Sequence, residues 1–180
     1  QHPDKAFLIF EGQMISYADF DTTVNRVASG FLRLGIRAGD RVCVMLSNCP
    51  EFLYAWFGLM KIGAILVPIN SAFRRTETQY IVQHAAAAAI VVDAVTGPVV
   101  ADIAGHLSCA CQRISLATTP AVGDIAWSDV LAEPSTSAPM VEVDANSVAS
   151  LMYTSGTTGQ PKGVMQPHRS YVIAGESFAM

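Results

Sequence analysis

Short, continuously apolar runs alternate with amphipathic helical stretches along most of this 180-residue chain, and that alternation leaves few folds open. Residues 41–46 (RVCVML) are apolar at nearly every position, as a strand buried on both faces must be. A strand with one wet face would alternate polar and apolar residues instead. Residues 64–68 and 88–93 repeat the pattern, and residues 148–153 form a fourth run. Between these runs lie helix signals. Ser16 stands as an N-cap with Asp19 three positions on, Phe20, Val24, Val27, Phe31 and Leu34 recur at helical spacing, and Gly35 closes the segment. A second helix is expected from Pro50 through Trp56 to Lys61, stopping at Gly63, and a third over residues 76–83. Residues 6–10 and 13–15 flank Glu11-Gly12 as a small hairpin. The predicted class is α/β, with strands and helices alternating around a largely parallel sheet. The pattern is less regular over residues 95–127, where 99–107 reads as helix and 113–116 as strand. Residues 133–146 (EPSTSAPMVEVDAN) read as a linker-like connection.

Composition narrows the setting. The chain is 51% hydrophobic and only 14% charged, with a mean hydropathy of +0.35, against roughly a quarter charged in an ordinary soluble domain. Such an excess belongs either to a membrane protein or to a piece of a larger body that carries an apolar face. The one candidate span, residues 52–69, is broken by Lys61, Gly63 and Pro68, so no transmembrane segment is expected. The second reading implies an apolar face through which the isolated chain could self-associate. A net charge of −4 and no basic cluster beyond Arg74-Arg75 argue against a nucleic-acid partner. The N-terminus shows no basic region followed by an apolar run. Cys43 sits in an apolar run, and Cys109 and Cys111 lack a second pair at zinc spacing. Together these features favour a reducing, cytoplasmic location.

Residues 153–164, YTSGTTGQPKGV, carry the chemistry. Glycine lets backbone approach an anion closely, and successive backbone N–H groups can form a concave nest for phosphate oxygens. Thr154, Ser155, Thr157 and Thr158 add hydroxyl donors beside Gly156 and Gly159, and Lys162 adds a compact positive charge. The bland alternative is a flexible Ser/Thr/Gly loop. Against it, apolar runs flank the segment, and Pro161-Lys162-Gly163 stiffens its exit. The segment is not a P-loop, because Pro161 rather than Gly precedes Lys162 and Gly163 rather than Ser or Thr follows it. Nor is there a G-x-G-x-x-G pattern.

YTSGTTGQPKGV resembles the signature phosphate loop of the adenylate-forming (AMP-binding) superfamily, which contains acyl- and aryl-CoA synthetases, peptide-synthetase adenylation domains and luciferases. Residues 15–20 (ISYADF) resemble that family's early "TYxEL" helix start, and residues 60–70 (MKIGAILVPIN) its "KAGAxxVPxN" segment. The resemblance runs from about residue 4 to the end. It implies that residues 1–180 are the N-terminal portion of an AMP-binding domain, part of a large N-terminal domain, with the remainder and a C-terminal domain lying beyond. It implies an ATP-dependent acyl-CoA synthetase that joins a carboxylic acid to AMP, releases pyrophosphate and passes the acyl group to CoA. Thr154, Ser155, Gly156, Thr157, Thr158, Gly159 and Lys162 would bind ATP phosphates, and Thr154 would supply an oxygen to Mg²⁺. Lys162 would contact a phosphate or anchor the loop, or be a plain surface lysine. His168 would approach the nucleotide or acyl pocket, or simply start a helix. The alternatives are an amino-acid adenylation domain and a non-catalytic nucleotide-binding fragment.

Overall fold

The structure, a computed structural model, describes residues 2–108, 110–132, 134, 136–154 and 161–178. Strands β1 (Ala6–Phe10) and β2 (Gln13–Ser16) pair antiparallel around Glu11 and Gly12. Both turn residues have positive φ (+48° and +78°), as a tight hairpin with the native strand twist requires. Helix α1 (Tyr17–Arg33) follows at once. Ser16 caps it: its Oγ accepts from the Asp19 N–H at 3.1 Å and donates to Asp19 Oδ2 at 2.7 Å.

The chain then runs β3 (Arg41–Met45), α2 (Pro50–Lys61), β4 (Ile65–Pro68), α3 (Arg75–His84), β5 (Ala89–Val92), α4 (Gly97–Ala104), β6 (Gln112–Ser115), β7 (Ile125–Ala126), α5 (Trp127–Leu131), β8 (Val148–Thr154), β9 (Lys162–Pro167) and α6 (His168–Phe178). The large sheet has the order β7-β6-β5-β3-β4-β8-β9. Every pairing in it is parallel except β8 with β9, which is antiparallel.

Both faces of the sheet are covered over β3, β4 and β5, which explains their unbroken apolar runs. Val42, Val44, Leu66, Ala89 and Val91 point to one side, against Val27 and Phe31 of α1, Leu59 of α2 and Trp127 of α5. Their neighbours Cys43, Met45, Val67, Ile90 and Val92 point to the other side, against Ile81 and Val82 of α3 and Val100 of α4. Period-two alternation therefore feeds two cores rather than one core and solvent.

Three details differ from the sequence expectation. Helix α4 begins at Gly97 and ends at Ala104, earlier at both ends than residues 99–107, because Pro98 suits a first helical turn. The short β7 and α5 were not expected; two and five residues are too few to show a period. Nor was β9, since Lys162, Gly163 and Pro167 are weak strand formers. Pairing with β8 overrides that weakness.

The carboxyl ends of β3 and β5 are tied by Asp93. Its carboxylate accepts from the N–H groups of Ser47 (2.7 Å), Thr96 (2.8 Å) and Val95 (2.9 Å), while Thr96 Oγ1 donates to Met45 O at 2.6 Å. Burial pushes the Asp93 carboxyl upward, but the donors from Ser47 and Thr96 outweigh it and hold it below its ordinary 3.8. A carboxyl depressed in the folded state stabilises fully above its ordinary value, and that stability disappears as pH falls through the folded value. Asp93→Asn should therefore lower the melting temperature at pH 7 and leave a shallower loss of stability below pH 3.8. Thermal melts of both proteins from pH 7 to pH 2 check this; parallel curves would refute it.

Candidate functional site

Strand β8 starts inside the sheet and leaves it. Ala149 and Ser150 are fully buried, the next residues are half-buried, and Thr154 is exposed. Its register with β4 pairs Leu66 with Ser150, and β4 ends at Pro68, so Tyr153 and Thr154 project past the end of that neighbour. Strand β9 returns antiparallel, pairing Thr154 with Lys162, Tyr153 with Gly163 and, at the far end, Val148 with Pro167. Gly163 permits this close return. A Cβ there would stand 2.9 Å from Leu151 Cδ1 and 3.3 Å from its Cγ.

The hairpin thus makes Thr154 and Lys162 cross-strand neighbours where the chain enters and leaves residues 155–160. Both side chains are exposed, and among the described residues no carboxylate pairs with Lys162. A free ammonium beside a hydroxyl favours an anion at that mouth. Ser155, Gly156, Thr157, Thr158 and Gly159 lie outside the described residues. No group of three or more His, Cys, Asp or Glu side chains converges among the described residues. Among the described residues of this segment, the Thr154 hydroxyl is a hard oxygen of the kind Mg²⁺ accepts, and the ion needs several further oxygens.

His168 lies elsewhere. It opens α6 directly after β9, and its backbone N–H bonds Ser147 O at 3.1 Å, at the base of the hairpin. Six residues of strand put its Cα about 20 Å from that of Lys162. The two residues singled out as catalytic are thus at opposite ends of β9. His168 Nε2 is shielded and has no hydrogen-bond partner among the described residues. Burial pushes the imidazole below its ordinary 6.5, favouring the neutral ring. Nearby, Tyr171 of α6 shares a 2.7 Å hydrogen bond with Ser150 Oγ and meets Trp56 edge-on.

The stem of the hairpin rests on α3, which the sequence did not single out. Tyr80 Oη donates to Pro161 O at 3.1 Å, and His84 Nδ1 shares a 2.7 Å hydrogen bond with Tyr153 Oη. Tyr80 and His84 stack with centroids 5.3 Å apart, and both meet the Tyr153 ring edge-on. Burial, with Cys43 and Tyr80 nearby, pushes the Tyr153 phenol up to about 12, so it stays protonated. The only sequence signal was the i, i+4 spacing of Tyr80 and His84, which places both on one helix face. A position near a helix C-terminus accounts for a histidine equally well. Beside this stem, a cleft of about 440 Å³ opens at the carboxyl ends of β3 and β4, between Asn48, Phe52, Asn70, Phe73 and Tyr153. Ligands of open α/β sheets bind in crevices outside the carboxyl ends of the strands. Cys49, at the head of α2, is no candidate nucleophile. Burial pushes its thiol up to about 11.

The model of the AMP-binding enzyme family matches residues 1–180. A crotonobetaine/carnitine–CoA ligase of Salmonella paratyphi B is 36% identical over 181 residues, covering 96% of this chain and 35% of that protein. The chain thus spans about a third of the length of the curated relatives it matches. Among solved structures, the anthranilate–CoA ligase AuaEII in complex with anthranoyl-AMP superposes with a TM-score of 0.91 at 26% identity, over 97% of this chain and 34% of that one. A Mycobacterium tuberculosis fatty acyl-CoA synthetase superposes with a TM-score of 0.79 at 28% identity, over 93% and 32%.

Proposed function

The chain belongs to the AMP-binding enzyme family, and from that premise we propose that it is the N-terminal part of an ATP-dependent acyl-CoA synthetase. One observation carries the reading: the hairpin sets Thr154 opposite Lys162 where the chain enters and leaves residues 155–160. The anthranoyl-AMP bound by a structural neighbour is an acyl-adenylate of the kind this chemistry makes.

In the first half-reaction a carboxylate oxygen attacks the α-phosphorus of ATP. The bond from that phosphorus to the oxygen bridging the β-phosphate breaks, and pyrophosphate leaves with the electron pair. Negative charge grows on the leaving group, so the site must supply fixed donors and positive charge there. Residues 153–164 are proposed as the phosphate loop. Lys162 would bring its ammonium to the β- and γ-phosphates, with the hydroxyls of Thr154, Ser155, Thr157 and Thr158 and the backbone N–H groups of Gly156 and Gly159 as further donors. Mg²⁺, when bound, would neutralise phosphate charge, with Thr154 Oγ1 among its oxygens. In the second half-reaction the CoA thiol would attack the acyl carbon and AMP would leave. His168, a shielded imidazole held neutral by burial at the base of the hairpin and about 20 Å from Lys162, is given no phosphate contact in this reading.

Val164, Met165, Val172, Ile173 and Phe178 expose apolar surface on β9 and α6. We take this face to be covered in the complete enzyme and to support self-association of the isolated chain. No helix among the described residues is long and apolar enough to cross a membrane.

The test is carboxylate-dependent ATP–pyrophosphate exchange by the full-length protein, offered fatty, aromatic and amino acids in turn. Exchange with fatty or aromatic acids, followed by thioester formation with CoA, is the expected result. Exchange with amino acids alone would favour the adenylation-domain alternative. A folded protein that binds Mg·ATP but exchanges with none of them would end the adenylation reading.

A further inference from the structure

The end of the hairpin that carries residues 155–160 runs past its inner neighbour in the sheet. Its inner strand registers with β4 at Ser150, three residues before Tyr153, and its outer strand β9 is the sheet's edge. Beyond Met152, β4 offers β8 no further residue to pair with. What meets the projecting stem instead is α3. Tyr80 holds the residue that leaves the segment, through Pro161 O at 3.1 Å, and His84 holds the strand that enters it, through Tyr153 Oη at 2.7 Å. The stacked Tyr80 and His84 rings form one ledge under the Tyr153 ring.

The helix under that ledge is anchored in the core. Ile81 and Val82, between the two rings in sequence, are fully buried in the core between α3, α4 and the sheet. The Gln83 side chain adds a 2.8 Å bond to His106 O beyond α4. A side chain on a helix anchored in the core can set the place of a strand end that runs past its inner neighbour.

We propose that Tyr80 and His84 are positioning residues for ATP binding, pinning Tyr153 and Pro161, on either side of residues 155–160, to α3. The assignment rests on the function proposed above. Neither residue touches substrate on this reading; each acts through Tyr153 or Pro161. If pinning fails, only a fraction of molecules hold Tyr153 and Pro161 in this place, and the apparent affinity for ATP falls by that fraction. Bound nucleotide then restores the arrangement, so the rate at saturation survives.

The experiment compares the full-length wild type with Tyr80→Phe, His84→Ala and His84→Asn in ATP–pyrophosphate exchange. Tyr80→Phe removes the hydroxyl and keeps the ring. His84→Asn restores a polar atom near the place of Nδ1. The KM for Mg·ATP should rise about fivefold in Tyr80→Phe and in His84→Ala, with kcat and the carboxylate KM within about twofold of wild type. His84→Asn should recover most of the loss. Unchanged ATP affinity in both impaired variants, a fall in kcat at constant KM, or an equal rise in the carboxylate KM would each overturn the assignment. Hydrogen exchange of the nucleotide-free protein gives an answer independent of activity. The amides of Thr154 and residues 162–164 should exchange about fivefold faster in Tyr80→Phe and His84→Ala, with β5 unchanged. Equal exchange throughout would refute the pinning. A wild type inactive in pyrophosphate exchange would count against the proposed function, while the amide rates would still decide the role of α3.

Discussion

Gly30→Ala should lower the stability of this protein by about 2–3 kcal/mol, although alanine is the better helix former. Gly30 lies within α1 and faces α5. A Cβ on it would stand 2.1 Å from Val130 O, 2.8 Å from Val130 Cγ1 and 2.9 Å from Val130 C. The obstruction is mainly backbone, so no rotamer change relieves it; α5 must move away. That movement disturbs Trp127 and Val130, which pack into the core beside Phe31, and the bond from the Arg33 guanidinium to Asp129 O. Helix propensity alone would favour alanine by about 1 kcal/mol, so the sign of the change separates the two effects. The melting temperature should fall by about 5–10 °C. Gly175→Ala is the control, because a Cβ on that exposed glycine of α6 meets nothing within 4 Å. A Gly30→Ala protein as stable as wild type would mean that α1 and α5 are not packed this closely.

Lys162→Ala should reduce kcat for ATP–pyrophosphate exchange by about 100-fold, the cost of losing one well-placed group that stabilises developing charge. The reasoning runs from place to chemistry. Lys162 is paired across the hairpin with Thr154, it is exposed, and no carboxylate among the described residues neutralises it. An ammonium that meets the pyrophosphate as it leaves acts mainly in the transition state, so kcat should suffer more than the carboxylate KM. Lys162→Arg should recover only part of the rate, since a planar fork does not replace a compact point charge. Steady-state kinetics on the full-length protein decide it. A loss below about fivefold would leave Lys162 as a surface lysine and shift the work to the other donors of residues 153–164.

The contrast between Lys162 and Tyr80 shows what kinds of information a sequence carries. Lys162 stands out as a candidate because it sits in a dense local cluster of hydroxyls, glycine and proline, and local composition is visible along the chain. Tyr80 and His84 are separated by about 70 residues from the strand they hold, and nothing in their surroundings announces a partner. An aromatic residue and a histidine near a helix end are accounted for equally well by packing and by the helix dipole. Likewise β9 was hidden, because a strand containing Lys162, Gly163 and Pro167 forms only once β8 stands beside it. His168 was legible as a helix start but not as a residue remote from Lys162, because the intervening residues became an extended strand.

By itself the sequence determined the layered α/β class, through apolar strands that demand cover on both faces, the cap of α1 and the proline start of α2, and the segment whose chemistry suits phosphate. These are properties of neighbouring residues, set by side-chain period, backbone freedom and local hydrogen bonding. Only the tertiary structure decided the strand order, the antiparallel return of β9, the close approach of α5 to Gly30 and the clamp of α3 on the hairpin. Each depends on contacts between residues far apart in the chain. Their free energy exists only after the core has brought them together.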